Sequence, residues 1–111
     1  APAWTPDGQQ LVYVSPHERF DQLYLWNGQT TRRLTKGDQH HRHPVWRGDG
    51  QLYCLTGDRG YYRPASVDLD TGSATPFWSY RESVLELTPA EDGFFVILYN
   101  DQRAEVYRFQ P

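Results

Sequence analysis

The chain has 111 residues, of which 38% are hydrophobic and 15% aromatic, and its formal net charge is -3. This length suits a single domain, and so many aromatic residues exclude a disordered polar chain. The acidic balance argues against nucleic acid as a partner, and the longest apolar run, "FFVILY" at 94–99, is too short to span a membrane.

Four short strands are predicted in the first part of the chain, at about 2–5, 10–15, 22–26 and 30–35. Trp4 lies in the first of them, and the dipeptide Asp7-Gly8 favours a tight turn into the second. In "LVYVS", at 11–15, the residues that point to either side of the strand are apolar. Such a strand is buried on both faces, so we expect further sheets on both sides of it.

The same pattern returns twice along the chain. Trp4 and Gly8 recur 42 residues later as Trp46 and Gly50, and a third, weaker copy lacks the Trp. Further strands are predicted at about 43–46, 51–56, 64–69, 73–78, 83–88, 93–99 and 104–109. The chain is therefore expected to repeat one four-stranded unit.

A repeat of this length with four strands per unit is typical of a β-propeller. The predicted fold class is all-β, one propeller segment with blades of four antiparallel strands at about 1–42, 43–82 and 83–111, and no helix is expected. Trp4 and Trp46 should be equivalent on successive innermost strands, and Tyr13 and Tyr53 equivalent on the adjacent strands.

The third unit has room for three strands, and the outer faces of the first and last blades should be apolar. Further blades of a longer chain would cover these surfaces, or copies of this chain would associate, most simply as a dimer with six blades. We therefore expect the chain to self-associate. It has no initiator Met, so we also expect a mature or excised segment.

"PAWTPDGQQLVYVS", at 2–15, and "DQLYLWNGQTTRRLT", at 21–35, resemble the TolB-type propeller repeat, with its W-S-P-D-G turn and its R-R-L-T ending. The second copy keeps "PVW" and "DG", and the third has lost the Trp. The resemblance implies a ring of roughly six to eight blades and a periplasmic or extracytoplasmic location. Repeats of this type occur in TolB itself, in the propellers of prolyl-oligopeptidase-type peptidases and in oligogalacturonate lyases.

The predicted function is a non-catalytic propeller module that binds a protein partner or further blades, without a cofactor. Neither a G-x-S-x-G nucleophile motif nor a phosphate-binding loop is present in the sequence. The alternative is the propeller part of an enzyme. That enzyme would be a metal-dependent polysaccharide lyase or a prolyl-oligopeptidase-type serine peptidase whose propeller gates the substrate.

Three histidines stand close together in "DQHHRHPVW", at 38–46. His41 and His43 would share a face of an extended strand and, with His40, could bind a divalent metal. Cys54 is the only cysteine, so it offers no Cys-based zinc site, and we expect it to be a buried structural thiol. The histidine segment matches no metal motif of fixed spacing, and we favour an ordinary polar loop.

A second candidate surface is the segment "DRGYYRP", at 58–64. Tyr61 and Tyr62 are predicted in a loop, with Arg59 and Arg63 beside them, and one of the two tyrosines should pack against the blade. The other tyrosine and the arginines have the composition that protein interfaces prefer. These four residues are therefore the predicted binding surface.

Overall fold

The computed structural model of the chain describes residues 2–58, 61–77, 83–90, 93–100 and 103–109, with 98–100 and 103–109 described by their backbone alone. These residues form eleven strands. In chain order the strands are β1 (Ala3–Trp4), β2 (Leu11–His17), β3 (Phe20–Trp26), β4 (Thr31–Arg33), β5 (His40–Trp46), β6 (Leu52–Asp58), β7 (Tyr61–Val67), β8 (Ala74–Pro76), β9 (Ser83–Pro89), β10 (Phe94–Asn100) and β11 (Arg103–Phe109). The described part of the chain contains no helix long and apolar enough to cross a membrane.

The strands form three separate antiparallel meanders, ordered β1-β2-β3-β4, β5-β6-β7-β8 and β9-β10-β11. We call them blades 1, 2 and 3. Neighbouring strands in each sheet are neighbours along the chain, and no strand of one blade pairs with a strand of another. The prediction of an all-β fold built from propeller blades is confirmed.

Short polar side chains close the hairpin turns of blades 1 and 2. Each accepts a hydrogen bond from the amide two residues further on, at 2.8–3.0 Å. This local bond mimics a backbone turn, which is why Asp and Asn are favoured in these places. The residues concerned are Asp7, Asn27, Asp49 and Asp68.

Strand β6 shows how both faces of a blade are buried. Leu52 and Cys54 point to blade 1, where they join an apolar cluster that includes Val12 and Leu23. The intervening Tyr53 and Leu55 belong to a second cluster, shared with blade 3. Cys54 is completely buried as predicted, and burial raises the pKa of its thiol to about 12.

The two repeated tryptophans are equivalent, as predicted, because Trp4 pairs with Leu11 and Trp46 pairs with Leu52. Trp46 Nε1 also donates a hydrogen bond to the carbonyl of Ala3 at 3.2 Å and so joins the first strands of blades 1 and 2. The predicted equivalence of Tyr13 and Tyr53 is wrong. Two residues beyond the Trp-paired leucine, the counterpart of Tyr13 is Cys54, and Tyr53 points to the opposite face.

The face of blade 1 that points away from blade 2 is aromatic. Trp4, 53% exposed, meets Trp26 edge to face at 6.2 Å, and Tyr13 stacks on Tyr24 at 5.7 Å. In blade 2 the matching positions of β6 and β7 carry smaller residues, all of them buried under blade 1: Leu52, Cys54, Ala65 and Val67. No strand of the described residues covers the aromatic face of blade 1.

We expect the 111-residue chain to self-associate at tens of micromolar, because this open aromatic face should gain from being covered. Sedimentation velocity of the wild-type chain and of Trp4→Glu would test this, with the variant shifting toward monomer. Tyr61→Glu is the matched control, since Tyr61 is also well exposed, at 43%, but lies at the start of β7. A folded monomeric wild type would contradict the expectation.

Blades 1 and 2 also approach each other through their backbones at Gly72. A Cβ atom at this position would overlap the carbonyl oxygen of Leu34, and the backbone has a φ of +78°. Gly28 has a similar φ of +97° but open space around it. Comparing an alanine substitution at Gly72 with one at Gly28 therefore separates the effect of the contact between blades from the effect of backbone strain.

We expect Gly28→Ala to lower the free energy of unfolding by about 1–2 kcal/mol, the cost of a left-handed backbone for a residue with a Cβ. Gly72→Ala should cost about 1–3 kcal/mol more, because the added atom also forces the two blades apart. Urea unfolding followed by tryptophan fluorescence measures both values. Equal losses for the two variants would show that the blades do not touch at Gly72.

Candidate functional site

The histidine-rich segment lies in a strand, because β5 begins at His40 and includes His41 and His43. The prediction of a loop is therefore wrong. Pairing explains the difference, since His40, His41 and Arg42 lie opposite Gly57, Thr56 and Leu55 of β6. Polar side chains in the first strand of a blade are tolerated here because neighbouring blades supply hydrogen-bond partners.

His41 and His43 do not share a face, although their spacing predicted that they would. His43 has a φ of 55°, and the register of β5 shifts between Arg42 and Val45. His41 Nδ1 lies 2.8 Å from Gln22 Oε1 in blade 1, whereas His43 Nε2 donates to the Leu87 carbonyl of blade 3 at 3.0 Å. The bulge thus lets one strand contact both neighbouring blades.

A buried polar network joins His41 to blade 1. Gln22 Nε2 donates to the Gly37 carbonyl, and Gln22 Oε1 accepts a hydrogen bond from Thr35 at 2.7 Å. Because Oε1 can only accept, the His41 proton must lie on Nδ1. Burial first, and the nearby His40 second, lower the pKa of His41 to about 4, so its ring is neutral at neutral pH.

A second polar cluster lies nearer the solvent and consists of Asp21, His40, Arg42 and Tyr62. Arg42 Nε donates to Asp21 Oδ2 at 2.7 Å, and its Nη1 donates to the Tyr62 hydroxyl at 2.5 Å. The amide of Asp21 donates to His40 Nδ1 at 3.0 Å. Asp21 belongs to blade 1 and the other three to blade 2, so this cluster also bridges the two blades.

Three members of the second cluster, Asp21, Arg42 and Tyr62, form one wall of a cleft of about 440 Å³ where the three blades meet. Its lining combines apolar side chains with the polar groups of this wall. The lining residues are Val14 and Asp21 of blade 1, Arg42, His43, Leu55 and Tyr62 of blade 2, and Val84 and Leu85 of blade 3. We call it the three-blade cleft.

Of the described residues of the predicted binding surface, only Tyr62 lines the cleft. Tyr61, Tyr62 and Arg63 begin β7 and are not in a loop, so that part of the prediction is wrong. Tyr62 lines the cleft and packs against the blade, while Tyr61 is 43% exposed, as expected for one tyrosine of the pair. Arg59 lies outside the described residues.

The three histidines do not converge on one point. In the part of the chain that the structure describes, no group of three or more His, Cys, Asp or Glu side chains is arranged to hold a metal ion. His41 Nδ1 and His43 Nε2 are occupied by hydrogen bonds to different blades. Metal binding by His40, His41 and His43 therefore stays a prediction without support from this geometry.

Sequence reasoning missed Asp21, Gln22 and Arg42 as members of the site. Asp21 and Arg42 are 21 residues apart, and their contact crosses from one blade to the next. Gln22 is buried although it is polar, and its partners come from β5 and from the segment after β4. A signal was present, since the polar pair Asp21-Gln22 lies near the start of an otherwise apolar strand.

Solved structures share this fold. The chain superposes on a TolB protein from Agrobacterium tumefaciens with a TM-score of 0.78 at 20% identity, covering 91% of this chain and 38% of that one. It superposes on a puromycin-hydrolyzing peptidase from Mycobacterium tuberculosis with a TM-score of 0.78 at 20% identity, covering 99% of this chain and 19% of that one. The superposition on TolB from Acinetobacter baumannii has a TM-score of 0.59 at 20% identity and covers 96% of this chain and 31% of that one.

The predicted resemblance to TolB-type propellers is thereby confirmed for the fold. No family model matches the sequence. The chain spans less than two fifths of the length of each of these proteins. Identities of 20% concern the fold alone, so the activities of these proteins do not transfer directly to this chain.

We expect the chain to lose stability as the pH falls from about 6.5 to about 4, because His41 is protonated more readily in the unfolded state. For one proton, the free energy of unfolding changes by at most about 1.4 kcal/mol per pH unit. Above about pH 6.5 His41 is neutral in both states, so this effect vanishes. Urea unfolding at several pH values measures it. His41→Gln should flatten the dependence and the exposed His17→Gln should not, whereas an unchanged slope in His41→Gln would contradict the assignment.

Proposed function

We propose that this chain is part of a β-propeller that binds a protein partner at the three-blade cleft and has no catalytic role of its own. The observation that carries the proposal is the cleft itself, about 440 Å³ in volume and lined by all three blades. Ligand sites are commonly concave and mostly apolar, with a few polar groups that fix orientation.

The chemistry of the cleft favours a partner with an apolar side chain. Leu55, Val84 and Leu85 supply apolar lining, and Leu85 remains 48% exposed. Arg42 has five N–H groups, and its contacts with Asp21, Tyr62 and His40 leave N–H groups able to donate to a carbonyl oxygen. An apolar contact beside a directional donor is what a protein segment can satisfy.

The rival function is the propeller part of an enzyme. The likeness to the puromycin-hydrolyzing peptidase supports it, since 99% of this chain superposes on 19% of that protein. In this case the catalytic residues would lie outside the chain, and the cleft would contact a substrate. A reading frame that continues into a hydrolase domain with a G-x-S-x-G motif would favour this rival.

A panel of short random peptides displayed on phage tests the binding function directly. We expect the wild-type chain to enrich peptides with aliphatic or aromatic side chains. Leu85→Lys should weaken the enriched peptides about tenfold or more, because a charge replaces an apolar contact in the cleft. Fluorescence anisotropy with the enriched peptides, made synthetically, measures the change in Kd.

Phe95→Lys is the matched control. Phe95 also belongs to blade 3 and is 46% exposed, close to the 48% of Leu85, but it does not line the cleft. Peptides that bind at the cleft should keep their affinity for this variant. Equal weakening by both substitutions, or no enrichment at all, would contradict binding at the three-blade cleft.

A further inference from the structure

His40 accepts hydrogen bonds and does not donate them through Nδ1. The amide of Asp21 donates to this nitrogen at 3.0 Å, and Arg42 Nη2 faces it at 3.3 Å. Both groups can only donate hydrogen bonds, because neither a backbone N–H nor an arginine guanidinium has an acceptor atom. His40 is therefore neutral in this structure, with its proton on Nε2.

The same nitrogen lies beside a carboxylate that is already in use. His40 Nδ1 is 3.8 Å from Asp21 Oδ2, and that oxygen accepts the hydrogen bond from Arg42 Nε at 2.7 Å. One carboxylate oxygen thus lies within ion-pair distance of both an arginine and a histidine. A charged His40 would therefore compete with Arg42 for this oxygen.

We propose that His40 is an acid-sensitive switch that decides whether Asp21 is paired with Arg42 or with His40. A proton taken up from solvent on Nδ1 ends its role as acceptor for the Asp21 amide and for Arg42. The new cation then attracts the Asp21 carboxylate and repels the guanidinium beside it. Arg42 loosens from Asp21, and the polar wall of the three-blade cleft changes.

The groups that contact or pair with His40 come from blade 1 and from its own blade. Blade 1 presents Asp21 and the uncharged ring of Phe20, which meets the imidazole edge to face at 5.2 Å. Arg42 and His41 come from the same strand, and Tyr62 of β7 lies 6.5 Å away between ring centres. The residue that pairs with His40 on β6 is Gly57, which carries no charge.

His41 adds no charge at neutral pH. Burial lowers its pKa to about 4, so its ring stays neutral there. Solvent reaches the switch, since the side chains of His40 and Asp21 are 20% and 28% exposed. As a regulator of binding the switch rests on the proposed function, but the exchange of partners at Asp21 needs no ligand.

NMR of the ¹⁵N-labelled 111-residue chain tests the exchange of partners. At neutral pH the ring nitrogens of His40 should report the proton on Nε2. As His40 becomes protonated, hydrogen exchange of Arg42 Nε–H should accelerate about tenfold relative to the exposed Arg33, as expected for the loss of one charge-assisted hydrogen bond. The Arg33 reference removes the intrinsic effect of pH on exchange.

His40→Phe keeps a ring against Phe20 but cannot be protonated, so the ratio of the Arg42 and Arg33 exchange rates should stay constant with pH. His17→Asn, at an exposed histidine in β2, should behave as wild type. A constant ratio in the wild type while His40 is protonated would overturn the proposal, as would a proton on Nδ1 at neutral pH. Because no peptide is present, these outcomes are distinguishable from a failure of the cleft to bind one.

Discussion

The structure depends on the stacking of the blades, which buries both faces of blade 2 between blades 1 and 3. Successive side chains of β6 alternate between neighbours, so that Leu52 and Cys54 contact blade 1 while Tyr53 and Leu55 contact blade 3. A fully buried apolar side chain of this size contributes about 1.5–3 kcal/mol. An isolated blade 2 would expose both of these faces to water, and the stable unit is therefore the stack.

Stacking also places the polar site. Once the apolar faces are aligned, the ends of β3, β5 and β7 meet at one edge of the stack, where side chains can cross from blade to blade. Gln22 and Asp21 of β3 contact His41 and Arg42 of β5 in this way. The bulge at His43 turns the same strand toward blade 3, and the three-blade cleft lies between these contacts.

The repeat was enough to predict the strands, the tight turns and the equivalence of Trp4 and Trp46, because all of these are local or periodic. It was not enough for the register, since Tyr13 and Tyr53 look alike in sequence but differ by one position in pairing. The cross-blade pair of Asp21 and Arg42 has no periodic signal, because a contact between blades depends on how two sheets are rotated against each other. The polar composition of the histidine segment predicts a loop, although pairing with β6 within blade 2 extends β5 to His40.

The neighbouring histidines of β5 show how one residue type can take two roles. His41 is 5% exposed, and its Nδ1–H donates a hydrogen bond to Gln22, whose other contacts hold Gln22 in place. Protonating its second nitrogen would put a charge in a buried site, and this burial, with the nearby His40, lowers its pKa to about 4. His40 points to the other side of the strand, and its Nδ1 accepts a hydrogen bond from the Asp21 amide. The same nitrogen lies 3.8 Å from the Asp21 carboxylate, and the side chain is 20% exposed to solvent. Adjacent residues on one strand therefore hold opposite tautomers, one within the packing between blades and the other beside the ion pair of Asp21 and Arg42.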